Sequence, residues 1–304
     1  MEHVYDLIVI GGGPGGYTAA LYGARAGLDV LVLEKLSAGG QMALTSQIDN
    51  YPGFPEGVDG FELADNMQQQ AERFGAKTEF AEVLSAEFAT DLKKIVTTEG
   101  VFWGKTVAIA TGADARKLGL AQEMELTGKG VNYCAHCDGH FYKNKIVAVV
   151  GGGNTAAADA LYLSRLAKKV IVIHRRDGLR ATKIYHGPLQ EAENVEFIWN
   201  HTVTQLLHNQ RLTGLELTDV QTGAKQVLSC DGLFVSIGRK PNTELFMQPD
   251  RDENGYLVAD ESTQTSLPGV FAVGDVRTKQ LRQIVTAVAD GAMAAHAAEA
   301  YLYE

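Results

Sequence analysis

The chain has no excess of basic residues, no long apolar run and very little cysteine, and each shortage excludes something. With 27 Lys and Arg against 37 Asp and Glu, its 304 residues carry a formal net charge of −10. Nucleic acids and anionic membranes demand a basic surface, so neither is expected as the main partner. The first apolar stretch, LIVI at residues 7–10, runs straight into GGGPGG. It is far shorter than a signal segment or a membrane span of about 20 residues, and the expected location is the cytoplasm. Hydrophobic residues at 45% and charged residues at 21% suit packed cores rather than disorder. The length suggests about two domains.

Only three cysteines are present. Cys230 stands alone before DGLFVSIG and is expected to be a buried, small apolar residue without chemistry. Cys134 and Cys137 form a C-x-x-C within CAHCDGHF, residues 134–141, with His136 and His140 close by. Structural zinc sites usually pair two knuckles separated by a loop. Here four possible ligands crowd into seven residues, and there is no second C-x-x-C or H-x-x-x-H to complete a site. No metal is expected. In a reducing compartment a purely structural disulfide is equally disfavoured, which leaves a redox pair as the leading reading.

Glycine, by contrast, is plentiful: 33 residues, clustered in GGG runs. The runs belong to an internal repeat. DLIVIGGGPGGYTAALYGARAGLDVLVLEK (residues 6–35) aligns with IVAVVGGGNTAAADALYLSRLAKKVIVIHRR (residues 146–176), pairing Leu21 with Leu161 and Tyr22 with Tyr162. Each copy reads strand, glycine turn, helix, strand, which is a βαβ dinucleotide-binding unit. Gly11 and Gly151 make the tight turn, Gly13 and Gly153 let the backbone approach a pyrophosphate, and Gly16 and Ala156 allow close helix packing. A lone G-x-G-x-x-G is a weak signal; two, each with the right flanks, are not.

The copies end differently. Glu34 closes the first with a carboxylate that suits the ribose hydroxyls of FAD or NAD. His174, Arg175 and Arg176 close the second, with Arg180 just beyond, and arginines can bind a 2′-phosphate by charge-assisted hydrogen bonds. NADPH is therefore expected there in preference to NADH. The C-x-x-C lies between the two units, where it can receive electrons next.

Further motifs carry a family resemblance across essentially the whole chain: AGGQM (38–42), ATGA (110–113), CAHCDG (134–139), GGGNTA (151–156), HRRDGLRA (174–181), IGRKPN (237–242), PGVFAVGDV (268–276) and RQIVTAVADG (282–291). In their order and spacing the sequence resembles the bacterial-type, low-molecular-weight NADPH-dependent thioredoxin reductases, class II pyridine nucleotide-disulfide oxidoreductases. The implied fold is α/β, with two Rossmann-like three-layer dinucleotide-binding domains, the second inserted in the first. Residues 1–114 and 243–304 would form the FAD domain and residues 115–242 the NADPH domain with the redox pair, joined by crossings that allow rigid-body rotation.

The C-terminal motifs make physical sense as flavin contacts. Asp275 can hydrogen-bond the ribityl chain, with Gly274 allowing close approach. A helix expected to begin near Arg282 would turn its N–H groups, around Gln283 and Ile284, toward the flavin pyrimidine edge, where negative charge builds on reduction. The resemblance adds Pro14, Lys35, Gly40, Gln41, Asn50, Val83, Ala110, Thr111 and Gly112 as FAD contacts, and Asn154, Thr155, Ile237 and Gly238 as NADPH contacts. It implies that electrons pass from NADPH to FAD, then to the Cys134–Cys137 disulfide, and then to the disulfide of thioredoxin. Cys137 would face the flavin and Cys134 would attack the partner. Asp138 is the best candidate acid/base, and His136 a lesser one.

The family is homodimeric, which implies a homodimer here. A relay to another small disulfide or peroxide-reducing protein, and a nucleotide-binding redox sensor without turnover, are the competing functions. His136 departs from the family's usual small or aromatic residue. It could stabilise a thiolate, or it could be an exposed side chain with no role.

Overall fold

The computed structural model describes residues 3–45 and 47–303. The chain divides into two compact units, one made of Met1–Asp114 and Lys240–Glu304, the other of Ala115–Arg239.

In the first unit a parallel sheet is ordered Lys77–Phe80, Val30–Glu34, Val4–Ile10, Gly100–Ile109. The last of these strands is long enough to serve two neighbours. Its first half pairs antiparallel with Lys93–Thr97, which in turn pairs with Val83–Glu87; its second half pairs parallel with Val270–Ala272. Strand residues alternate between faces, and the two cores follow that alternation. Leu7, Val9, Val30 and Val32 pack with Tyr17, Ala19 and Ala20 of helix Pro14–Arg25 and with Ala294 and Ala298 of helix Ile284–Tyr303. Ile8, Ile10, Leu31 and Leu33 pack on the other face with Phe88, Ile95, Phe246 and Leu257. The strands read as continuous apolar runs because both faces are covered.

The second unit repeats the plan. Its all-parallel sheet is ordered Val195–Trp199, Lys169–His174, Ile146–Val150, Gly232–Val235, Val131–Asn132. Val147, Val149, Val170 and Val172 face helix Asn154–Ser164 through Ala156, Ala160 and Leu163. The third layer is an antiparallel meander of His201–His208, Leu212–Asp219 and Lys225–Ser229, whose Leu206, Leu215 and Leu217 pack on Ala148, Ile171 and Ile173. Among the described residues, no helix is long and apolar enough to cross a membrane.

Candidate functional site

The duplicated turns have the same construction. The Gly11 N–H donates to the Leu33 carbonyl at 2.9 Å, and the Gly151 N–H donates to the Ile173 carbonyl at 3.1 Å. Gly11 (φ +106°) and Gly151 (φ +149°) sit where an L side chain is strained, and an added Cβ would lie 2.6 Å from the Ala110 oxygen or 2.3 Å from the Ser236 oxygen. At Gly13 and Gly153 the opposite holds: a Cβ would meet nothing within 4 Å. Each of these residues is the N-cap of its helix, and neither helix has a side-chain cap. The first turn of each helix therefore lacks a side-chain cap and begins beside open space, which suits a phosphate group.

The third position explains why one copy keeps glycine and the other does not. A Cβ on Gly16 would lie 1.9 Å from the Gly11 oxygen, whereas the methyl of Ala156 is accommodated and fully buried. Gly16→Ala, innocuous by comparison with the second copy, should destabilise the first unit by roughly 1–3 kcal/mol through overpacking. Thermal unfolding would measure this; an unchanged midpoint would show that the turn can relax.

Around the first turn, four loops meet at the carboxyl ends of the parallel strands, the usual ligand side of such sheets. Glu34 Oε2 accepts the Gly12 N–H at 2.7 Å, and Oε1 accepts those of Lys35 and Leu36. The Lys35 side chain is engaged by Glu82 at 2.6 Å. The Gly39 N–H donates to the Gly12 oxygen, bringing Gly40 beside Gly13. Gln41 donates to the Ala113 oxygen and to Asp114. Asn50 donates to the Gln283 side chain at 2.9 Å. The Ala110 N–H donates to the Ile10 oxygen, and Thr111 exchanges hydrogen bonds with Asn242, fixing the loop through Gly112. Val83 opens its strand three residues after Phe80, the register partner of Glu34. The last helix starts at Ile284, two residues later than the sequence suggests, because Gln283 acts as the entry residue: its N–H donates to Thr286 Oγ1 and its carbonyl accepts the Ala287 N–H.

A residue cluster not singled out from sequence holds the turn Gly274–Val276. Asp290 is only 5% exposed. Its Oδ2 accepts from the Gly274 N–H (2.8 Å), Arg277 Nε (2.9 Å) and Lys279 Nζ (2.7 Å), and its Oδ1 accepts from Arg277 Nη2 (2.7 Å). Burial pushes the Asp290 carboxyl up, but its bonds from Arg277 and Lys279 outweigh this and hold it below the usual range. Arg282 braces the same turn, donating to the Asp275 and Arg277 carbonyls with its guanidinium 4.0 Å from the Tyr256 ring. No local pattern marks Asp290, because its partners lie 11 to 16 residues away.

In the second unit the segment after His174 folds back over the glycine turn. The N–H groups of Arg180 and Ala181 donate to the Gly152 oxygen, and that of Thr182 to Asn154 Oδ1. Arg180 is thereby brought back toward the end of strand Lys169–His174, which Arg175 and Arg176 follow. All three act on His174, whose pKa is lowered by burial first and then by Arg180, Arg175 and Arg176. The His174 ring lies against Gly152, where even a Cβ would come within 2.4 Å, and its buried Nε2 has no hydrogen-bond partner among the described residues. Three arginines close enough to act on His174 electrostatically, with an orphaned imidazole nitrogen, suit an anion. Ile237 and Gly238 (φ +102°) follow Ser236 at the end of the neighbouring strand Gly232–Val235.

Cys134 and Cys137 are joined in a disulfide, their Cα atoms 5.3 Å apart. Cys134 is the N-cap of the short helix Ala135–Asp138, and its Sγ accepts the Cys137 N–H at 3.1 Å. That helix lies close on helix Asn154–Ser164, since a Cβ on Gly139 would come 2.9 Å from Tyr162. Asp138 is shifted up to about 6 by burial alone. Before the pair, Tyr133 is tied by its hydroxyl to buried Glu123, which also accepts the N–H groups of Leu118, Gly119 and Leu120. Tyr142 is buried, edge-on to Phe234, while Phe141 is exposed. Cys230 is buried and free, its thiol pushed up to about 12 by burial. Among the described residues no group of three or more His, Cys, Asp or Glu is placed to hold a metal ion.

Two nucleotide turns and a C-x-x-C disulfide in one chain correspond to a match over residues 5–291. The chain belongs to the pyridine nucleotide-disulphide oxidoreductase family. Membership makes it an oxidoreductase and implies binding of a flavin and a pyridine nucleotide. A thioredoxin reductase of Listeria innocua is 44% identical over 305 residues, covering all of this chain and 95% of the relative. A protein of Mycobacterium leprae named bifunctional thioredoxin reductase/thioredoxin is also 44% identical, over all of this chain and 67% of its own length. The crystal structure of thioredoxin reductase from Streptococcus pyogenes superposes with a TM-score of 0.93 at 41% identity, covering 100% of this chain and 99% of that one.

Proposed function

We propose that the protein is an NADPH-dependent thioredoxin reductase, using FAD and the Cys134–Cys137 pair. The observation that carries this reading is the disulfide seated beside a half-buried carboxyl, Asp138, in a unit that also presents a glycine turn without a side-chain cap and with Arg180 folded back onto it. Full-length relatives named thioredoxin reductase support the acceptor. So does the Mycobacterium leprae relative, whose name joins reductase and thioredoxin. The proposed setting is the cytoplasm, and the proposed assembly a homodimer, on the pattern of the family.

The residues fit both cofactors. FAD would lie on the first turn, with its pyrophosphate on the free N–H groups after Gly13, its adenosine ribose on Glu34 and its ribityl chain on Asp275. NADPH would lie on the second, with its 2′-phosphate among His174, Arg175, Arg176 and Arg180. When bound, FAD takes hydride from NADPH and supplies two electrons to the disulfide. The chain's own residues manage the sulfurs. The Cys137 N–H directed at Cys134 Sγ favours negative charge on that sulfur, which suits Cys134 as the nucleophile toward the partner. Asp138, poised near pH 6, can give a proton to a leaving thiolate and take it back.

Asp138→Asn should therefore lower turnover roughly 100-fold and remove the inflection near pH 6 that the parent profile should show. A full-rate variant with an unchanged profile would exclude the role. The function itself is tested by adding NADPH to the flavin-loaded protein and screening thioredoxins, with NADPH oxidation as readout. Turnover only with a thioredoxin supports the reading. Turnover only with another small disulfide protein would reassign the acceptor, and no bleaching of the flavin by NADPH would leave a sensor.

A further inference from the structure

The loop that carries the disulfide is tied at both ends to the body of its unit. It leaves Val131–Asn132, the edge strand of the parallel sheet, and the ties run to opposite faces of that sheet. On the meander face, Tyr133 packs with Leu118 and Leu120 against the core, and its hydroxyl donates to Glu123 Oε1 at 2.8 Å. Glu123 is 2% exposed, and its two oxygens also accept the N–H groups of Leu118 (2.8 Å), Gly119 (2.7 Å) and Leu120 (3.2 Å). Four donors fix one carboxylate, and that carboxylate fixes Tyr133, the residue before Cys134. On the helix face, Tyr142 is buried in the same core as Ala135. It is seated on Gly232, where a Cβ would come within 2.3 Å of its ring. Its hydroxyl accepts from Asn132 Nδ2 at 2.9 Å. The buried Asn132 amide donates as well to the Gly130 and Leu233 carbonyls, at 3.3 and 3.4 Å. The Asn132–Tyr142 bond thus closes a larger ring around the small ring of the disulfide.

We propose that Glu123 and Asn132 are positioning residues: through Tyr133 and Tyr142 they clamp the two ends of the redox loop, keep the reduced thiols near closing distance and so lower the reduction potential of the Cys134–Cys137 pair. The inference rests on reading this pair as the redox centre. When the S–S bond breaks, each sulfur takes up one electron and one proton, and the released segment gains conformations. Anchored ends limit that gain, because closing a loop costs less entropy when its ends are already held together. The effective concentration of one thiol at the other stays high, which favours the disulfide and lowers the potential. The coupling is reciprocal. If the ties favour the disulfide, the disulfide favours the ties by the same factor. Two tyrosine hydroxyls that served only core packing would show neither effect.

The test uses the flavin-loaded protein and its Tyr133→Phe and Tyr142→Phe variants, each of which loses one hydroxyl and keeps the ring. All are equilibrated at pH 7 with mixtures of reduced and oxidised dithiothreitol. One reduced reagent gives two electrons and two protons to the pair and closes its own disulfide. Alkylation and mass analysis of the peptide holding residues 134–137 reads the oxidised fraction without turnover or a protein partner. Each variant should be half reduced at a roughly two- to fivefold lower ratio of reduced to oxidised reagent than the parent, the range of one net hydrogen bond. Hydrogen exchange of the parent supplies the reciprocal measurement. The N–H groups of Leu118, Gly119 and Leu120, which share Glu123 with Tyr133, should exchange roughly two- to fivefold faster with the pair reduced than with it oxidised. Midpoints that stay with the parent's, or that move to higher ratios, overturn the proposal, and so does exchange that reduction leaves unchanged. Tyr133 is only partly buried, so Tyr133→Phe and the exchange measurement carry the test should Tyr142→Phe not fold. A pair that NADPH never opens in the same peptide assay would instead sink the redox-centre reading, so the two failures are distinguishable.

Discussion

Cys137→Ser should bring disulfide reduction down to background while NADPH still bleaches the flavin. The two observations must separate, because the glycine turns and the C-x-x-C are independent constructions. The turns are built from backbone at Gly11–Gly13 and Gly151–Gly153 and would keep their nucleotides. The sulfur chemistry depends on a ring closed between Cys134 and Cys137, and a serine oxygen cannot take part in exchange. Cys134→Ser should be equally inactive, with one difference. The remaining Cys137 thiol is on the sulfur proposed to face the flavin, so this variant should perturb the flavin absorbance band as that thiol titrates. In Cys137→Ser the remaining thiol, Cys134, accepts the N–H of residue 137 and should be the more readily alkylated. Stopped-flow absorbance at the flavin band and a thioredoxin-coupled assay give both readouts. Retained turnover in either variant would mean that electrons bypass the pair.

The parts of the site that could be read from sequence are those in which one backbone segment does the work. The turn of Gly11 and that of Gly151 need positive φ and open space within a few residues, and a repeat displays the requirement twice. The same holds for the C-x-x-C, whose ring spans four residues. What could not be read is whatever depends on partners far along the chain. Asp159 accepts from Ser236, 77 residues away, and the His136 ring stacks on Tyr162, on a different helix. The meander His201–Ser229 alternates too irregularly to announce that it forms the third layer of the second unit: its strands contain bulges between Val203 and Gln205 and between Leu207 and His208. Glu34 and His174 show both cases at one position. Their place at the strand end is local, and so is that of Arg175 and Arg176, but Arg180 joins them only because the chain folds back to the Gly152 carbonyl.

Asp290→Ala should produce the largest loss of stability of any single substitution considered, about 3–5 kcal/mol, because it leaves Arg277 and Lys279 buried without their counter-charge. Arg277 is 3% exposed and cannot turn to water. Replacing Asp290, Arg277 and Lys279 together by apolar residues of similar size should recover most of that stability, since a buried ion cluster contributes little relative to a packed apolar one. It should not recover flavin retention. The Gly274 N–H would still lack its acceptor, and the turn that presents Asp275 would remain loose. Urea unfolding followed at the flavin and in the far ultraviolet separates these effects. Acid gives an independent check. The folded-state pKa of Asp290 is depressed, so its contribution is fully present above the unfolded value, near 3.9, and is lost as pH falls through the lower folded value. The stability gap between parent and Asp290→Ala should therefore be constant at neutral pH and narrow only in strong acid. A gap below about 1 kcal/mol at neutral pH would show that the two cations find other partners, and that Asp290 does not hold the flavin-side turn.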